Sequence, residues 1–264
     1  MLEAIPAVVV QKVVADALPQ PKGVMSFVLG LALQARRVEQ TIAEGGLTHG
    51  ARRLIGPITA HFAHEKTPEV LANAPVLIIA THHGFGIVQP SAILAALPKR
   101  ENTALAIDAQ KAALVGQNIR RYLIPFAIDG EVQQAYGKLS SIVRPQLFST
   151  QQSRQINRKG LQEASKRIQN GDAVVFFPDG AGAKNSRPWK RGIDAILRQL
   201  DPQTAIVFAH VDDVHPGRFI PGVGRLFTEP RVVFSQPHQA QEFLGNDITE
   251  SLRTAYDAFV AQYF

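Results

Sequence analysis

From Ala74 onward the chain alternates short apolar runs with longer stretches of helical period. Six runs, Val76–Ala80, Thr103–Ile107, Ile124–Ile128, Ala173–Phe177, Ala205–Ala209 and Arg231–Ser235, are apolar nearly throughout, as strands covered on both faces require. Between them the spacing predicts helices over Ser91–Leu97, Lys111–Tyr122, Gln155–Gln169 and Ile193–Leu200, and Thr249–Tyr263 closes the chain. Strands and helices in this alternation predict an α/β fold: a mixed, mostly parallel central sheet flanked by helices on both faces. In such sheets the chemistry gathers where strands end and loops begin.

The first 70 residues read differently, as a helical segment ahead of an α/β domain over residues 71–264. An Ala/Val-rich helix is predicted over Ala4–Leu18, a PQPKG break follows, and a second helix runs from Val24 to Ala43 before the Gly45–Gly46 pair. That second helix changes abruptly from MSFVLGLAL to QARRVEQ. Two readings fit it: a pair of core-packing helices, or a pair that docks on a membrane surface or a substrate through an apolar face with basic flanks. Two connections are long and poorly patterned, Gly130–Arg154 and Val211–Pro230, and these are expected to form substrate-specific walls.

Composition narrows the class. At 264 residues with 45% apolar and 19% charged residues, the chain has the makeup of a globular protein with one sizeable core. It has no cysteine, which removes disulfides, thiolate metal sites and a cysteine nucleophile, and fits a cytoplasmic address. The first residues show no secretory pattern, and the longest apolar run, Val24–Leu33, is too short for a bilayer span of about 20 residues. The net charge of +6 and a pI near 9.7 point to anionic company: an anionic lipid surface, an acidic carrier or a phosphorylated ligand. No zinc-finger or RNA-binding signature accompanies the cations, and a nucleic-acid partner is not expected.

Three features fall at strand ends. In IIATHHGFGIVQP, His82 and His83 follow a strand and precede two glycines that let backbone approach a ligand. Histidine is the side chain best suited to take a proton from a hydroxyl near neutral pH. In IDAQK, Asp108 stands just past its strand. In VVFFPDGAGAKNSRPWKRG the strand stops at Phe177, Pro178, Asp179 and Gly180, and Lys184, Arg187, Lys190 and Arg191 follow within a short loop. A phosphate-bearing ligand would satisfy those four cations. The spacing of a phosphate-binding P-loop is not met, because Ala183 precedes Lys184 and Asn185 follows it. Two polar clusters, His210, Asp212, Asp213 and His215 in one and His61, His64 and Glu65 in the other, lack zinc-protease spacing and read as structural, so no metal is expected.

The order of these features resembles the glycerolphosphate and lysophospholipid acyltransferase superfamily, the 1-acylglycerol-3-phosphate acyltransferases, over roughly Val76 to His238. Phe177, Pro178, Asp179 and Gly180 are similar to that family's FPEG block, and Lys190, Arg191 and Gly192 to its downstream basic element. LIPFAIDGE, TAIVFAHV and EPRVVFSQPH resemble the strands around them. The resemblance implies a histidine base at His82, with His83 as fallback, and transfer of a fatty acyl group to a hydroxyl. The acyl donor it implies is acyl-CoA or acyl carrier protein, as co-substrate rather than cofactor. The acceptor it implies is a lysophospholipid-like or other small molecule, met at the inner face of a membrane.

The family's first block pairs its histidine with an acid five residues on; here Ile87 stands there, or Val88 in the alternative register. The family's threonine and arginine after FPEG are Ala181 and Gly182 here. An orienting carboxylate must then come from elsewhere, with Asp108 and Asp179 as the available recruits, or the chain has lost its chemistry and binds lipid or a partner protein.

Overall fold

The computed structural model describes residues 39–56, 58–81, 88–109, 112, 117–127, 148–180, 189–212 and 229–264. Helical residues 39–55 come first. The elements that follow are β1 (Thr59–Phe62), α1 (Thr67–Asn73), β2 (Val76–Ile79), α2 (Val88–Ala96), β3 (Thr103–Asp108), α3 (Gln117–Arg120) and β4 (Leu123–Phe126). After these come α4 (Thr150–Gln169), β5 (Ala173–Phe176), α5 (Gly192–Leu197), β6 (Ala205–Asp212), β7 (Arg231–Phe234), β8 (His238–Gln239) and α6 (Ile248–Tyr263).

Among the described residues the strands form one eight-stranded sheet in the order β1-β7-β6-β2-β5-β3-β4, with β8 beside β6. Strands β2 to β6 run parallel, whereas β7 and β8 pair antiparallel with β6, and β1 follows β7 in parallel. The fold is therefore α/β with a mixed, mostly parallel sheet, as the pattern predicts. All six predicted strands are present.

The central strands are apolar at every position because both faces are covered. Along β2, β5 and β6, alternate residues feed opposite cores. Ile78, Val175 and Val207 pack under residues 39–55, α1 and α2, while Leu77, Val174 and Ile206 pack under α4, α5 and α6. At about 25 cal/mol per Å² of apolar surface removed from water, these two layers are the main stabilising contribution.

Local signals set the ends of several elements. Helix α4 opens with a capping box, in which the Ser149 hydroxyl accepts from the Gln152 N–H and the Gln152 side chain accepts from the Ser149 N–H. Arg52, from the first helical stretch, donates to the Ala95 carbonyl at 2.9 Å and to Leu97, capping the exit of α2 with positive charge.

Three differences from the sequence reading stand out. Thr59–Phe62 lies inside the stretch read as helical, yet it pairs with β7 as an edge strand. Its exposed/half-buried alternation has only one covered face to report, and the stacking of Phe62 on Phe234 at 5.6 Å comes from a strand far along the chain. Helical residues continue to residue 55, across the glycine pair taken as a terminator. The connections also shrink: Thr150 already belongs to α4, and β6 extends to Asp212. The predicted helix at Ala4–Leu18 lies outside the described residues.

Candidate functional site at the carboxyl rim

Strands β2 and β5 are neighbours in parallel register, with Ile79 opposite Phe176 and the Ala80 N–H donating to the Phe176 carbonyl at 3.1 Å. Their carboxyl ends thus leave the sheet side by side. Thr81 follows the end of β2 and precedes His82 in the sequence; β5 leads into Phe177, Pro178, Asp179 and Gly180.

The turn after β5 is closed by a bond from the Gly180 N–H to the Phe177 carbonyl at 3.1 Å. Gly180 has φ of 69°, a conformation in which a side chain would be strained, so the turn requires glycine there. Asp179 is only 9% exposed. The Lys190 N–H returns to the Pro178 carbonyl at 2.9 Å, so the two sequence blocks that flank the cationic loop meet at one turn. Lys190 and Arg191 themselves are exposed. His82, His83, Lys184 and Arg187 lie outside the described residues.

Asp108 ends β3, which pairs with the other side of β5. It is half-buried and stands two strands from β2, against one strand for Asp179. At about 4.8 Å per strand, that places Asp108 roughly twice as far from the end of β2.

Sequence reasoning missed the other side of the rim. Helix α6 leans Tyr256 against the strand ends, and its hydroxyl is hydrogen-bonded to Thr81 Oγ1 at 2.8 Å and to His210 Nδ1 at 3.0 Å. The Tyr256 ring also meets Trp189, which is 8% exposed, at a centroid distance of 5.6 Å. Burial pushes the Tyr256 phenol well above its ordinary range; hydrogen bonding with Thr81 opposes the rise and the Asp179 charge adds to it. The local signal for this grouping is slight: Trp189 adjoins Lys190, and His210 follows an apolar run, but nothing near Tyr256 marks it.

His210 and Asp212 share one face of β6, while Asp213 and His215 lie outside the described residues. In the second cluster the His64 Nδ1 accepts from the Lys66 N–H at 3.1 Å, a local turn contact. Among the described residues no three His, Asp or Glu side chains converge into a metal-holding group, and no helix is long and apolar enough to cross a membrane. An open cleft of about 1150 Å³, bordered by His64, Lys66, Gln169, Gln199 and His238, lies at the opposite rim, where the strands begin. It is remote from Thr81 and Asp179, because it opens at the start of β6, beside Thr204 and Ala205.

No family model matches the chain, and no curated protein matches it. Among solved structures it is similar to the 1-acyl-sn-glycerophosphate (LPA) acyltransferase PlsC from Thermotoga maritima. The identity is 11%, the match covers 98% of this chain and 88% of that one, and the TM-score is 0.49.

Proposed function

We propose that the protein transfers a fatty acyl group from an acyl thioester, acyl-CoA or acyl carrier protein, to a hydroxyl of a lysophospholipid-like or other acceptor. The observation that carries this reading is the register of β2 and β5. His82 and Asp179 each stand three residues beyond the pair Ile79 and Phe176, on adjacent parallel strands that end at the same rim. The resemblance of the FFPDG and WKRG blocks to the acyltransferase family is supported by the same geometry, since the bond from Lys190 to Pro178 joins them.

In this reading the His82 imidazole takes the proton of the acceptor hydroxyl while the oxygen attacks the thioester carbonyl. The tetrahedral intermediate collapses, the carbon–sulfur bond breaks, and the departing thiolate takes the proton from the imidazolium. Asp179, one strand away, is favoured over Asp108 as the acid that orients the ring. Lys190 and Arg191, with Lys184 and Arg187, face the phosphates of the donor or acceptor, which suits contact with an anionic membrane surface.

The test is incubation with a panel of acyl thioesters and acceptors, read by mass spectrometry. His82→Ala is expected to abolish product with the fold intact, and unchanged turnover in that variant ends the assignment of His82 and moves it to His83. A second reading is favoured by one feature, the apolar Ile87 where the family carries its acid: a member of this fold that binds lipid or a partner without chemistry. Any enzyme-dependent ester or amide product excludes it.

A further inference from the structure

Helix α4 carries a charge pattern that neither the packing of the fold nor the acyl-transfer reading uses. Its twenty residues, Thr150–Gln169, hold five cations and one acid, Glu163. Glu163 is taken by Arg167 at 2.8 Å, and Arg167 also donates to the Arg121 carbonyl at 2.6 Å. Arg154, Arg158, Lys159 and Lys166 are all exposed and have no acid within ion-pair distance among the described residues. Every exposed position from Gln151 to Gln169 is glutamine, arginine or lysine, whereas Gly160, Ala164, Ser165 and Ile168 form the buried stripe.

The stability of the helix itself does not account for this face. Arg154 and Arg158 are four residues apart, a like-charge spacing that weakens a helix. The first turn holds no acid, although the macrodipole favours one there. An acidic partner would turn that repulsion into attraction.

The face begins at the carboxyl rim. Asn157, just ahead of Arg158, clasps Ala127 beyond the end of β4: its amide donates to the Ala127 carbonyl at 3.2 Å and accepts from the Ala127 N–H at 2.7 Å. Arg154 and Arg158 therefore stand at the level where the strands end. A methyl on the α-carbon of Gly192, at the start of α5, would lie 3.4 Å from the Leu161 side chain. The exposed Arg191 thus adjoins α4 and extends its cationic face toward the turn at Asp179. In the other direction the face runs to Lys166, about 18 Å from Arg154 at 1.5 Å per residue.

We propose that the outer face of α4 is the docking surface for an acidic helix of a carrier protein that brings the acyl thioester to the carboxyl rim. The inference deepens the acyl-transfer reading and rests on it, selecting a protein-borne donor over acyl-CoA. Carboxylates three or four residues apart on an acidic helix are spaced like Arg154 and Arg158, and a guanidinium binds a carboxylate through two parallel hydrogen bonds. The glutamines between them supply donors and acceptors for the rest of the contact. A lipid surface fits less well, because no exposed position from Gln151 to Gln169 offers an apolar side chain to insert. Single-stranded nucleic acid fits less well too, because the same positions include no aromatic ring on which a base could stack.

The test uses the full chain and two readouts. In the first, binding of purified acyl carrier protein is measured across a salt series, beside phosphatidylglycerol vesicles and a DNA duplex. The wild type is expected to bind the carrier with an affinity that falls as salt rises. Arg154→Glu/Arg158→Glu is expected to weaken that affinity about tenfold. Arg53→Glu/Lys99→Glu makes the same charge change at exposed positions in and just after the helices of the opposite layer, and is expected to retain it. Melting temperatures check that both variants fold. The proposal is overturned by absence of carrier binding in the wild type, or by equal losses in the two double variants. It is also overturned if vesicles or duplex bind more tightly than the carrier and Arg154→Glu/Arg158→Glu abolishes that binding.

In the second readout, kcat/KM for acyl transfer is compared between acyl carrier protein thioester and acyl-CoA of the same chain length. The wild type is expected to favour the carrier. Arg154→Glu/Arg158→Glu is expected to lower the carrier-to-CoA ratio about tenfold, through KM for the carrier. A wild-type preference for acyl-CoA, or a ratio that does not move in the variant, overturns the choice of donor. If the wild type transfers no acyl group from either donor, the acyl-transfer reading fails, and the donor role with it, while the binding readout still decides whether α4 docks an acidic protein.

Discussion

Gly160, in the middle of α4, lies so close to the Pro125 carbonyl of the edge strand β4 that a methyl group on its α-carbon would come within 2.7 Å of that oxygen. The same methyl would stand 3.0 Å from the Phe126 ring. Exchanging glycine for alanine inside a helix normally stabilises by about 1 kcal/mol. Here the obstacle is main-chain oxygen, which has no rotamer to change, and overpacking of this kind costs about 1–3 kcal/mol. Gly160→Ala is therefore expected to be destabilising, seen as a lower urea midpoint at unchanged slope; a stabilised variant would show that α4 can move off the sheet.

Arg100 has a different structural task. It is only 7% exposed, and its guanidinium donates to the carbonyls of Asn102 at 3.1 Å, Leu71 at 3.0 Å, Ala74 at 2.7 Å and to Gly171. Burial lowers its pKa and the Asp172 charge opposes the fall. Removing the side chain leaves several carbonyls without their donor, so Arg100→Met is expected to cost about 3–5 kcal/mol in denaturant unfolding. Arg100→Lys is expected to recover little, because a single ammonium cannot span carbonyls spread over the fork of a guanidinium.

The two acids proposed to orient the base differ by one strand. Asp179→Asn is expected to reduce acyl transfer by about 10²- to 10⁴-fold, in the range seen when an orienting carboxylate is lost. Asp108→Asn is expected to keep most of the rate, with melting temperatures confirming that both variants fold. The reverse order of losses would move the orienting role to Asp108.

Tyr256 also predicts an alkaline limb in stability. Its phenol is held above the ordinary value of about 10 by burial, against hydrogen bonding with Thr81. The folded state thus keeps a proton that the unfolded chain gives up, so the stabilisation is whole below that ordinary value and declines as pH rises beyond it. Denaturant unfolding above the ordinary tyrosine value is expected to fall more steeply with pH in the wild type than in Tyr256→Phe. Parallel curves would mean the phenol is not held in its neutral form by the fold.

Much of the scaffold is legible along the chain, for a local reason. Strands such as Val76–Ile79 and Ala173–Phe176 are buried on both faces, and nothing polar interrupts them. Edge strand β1, with one half-covered face, left no such mark. Neither did the two residues of β8, whose register against Ala205 and Ile206 is set entirely by β6.

The candidate site divides in the same way. The sequence alone determined that Asp108, Asp179 and His82 come at or just after strand ends, because in a parallel α/β sheet each buried run must leave the core there. Which of those ends are neighbours was decided only in three dimensions, since strand order depends on pairings between distant segments. The meeting of Thr81, Tyr256 and His210 is the clearest case: no periodicity relates a strand end to a helix 175 residues away, and only packing of α6 over the rim brings the hydroxyl to the imidazole.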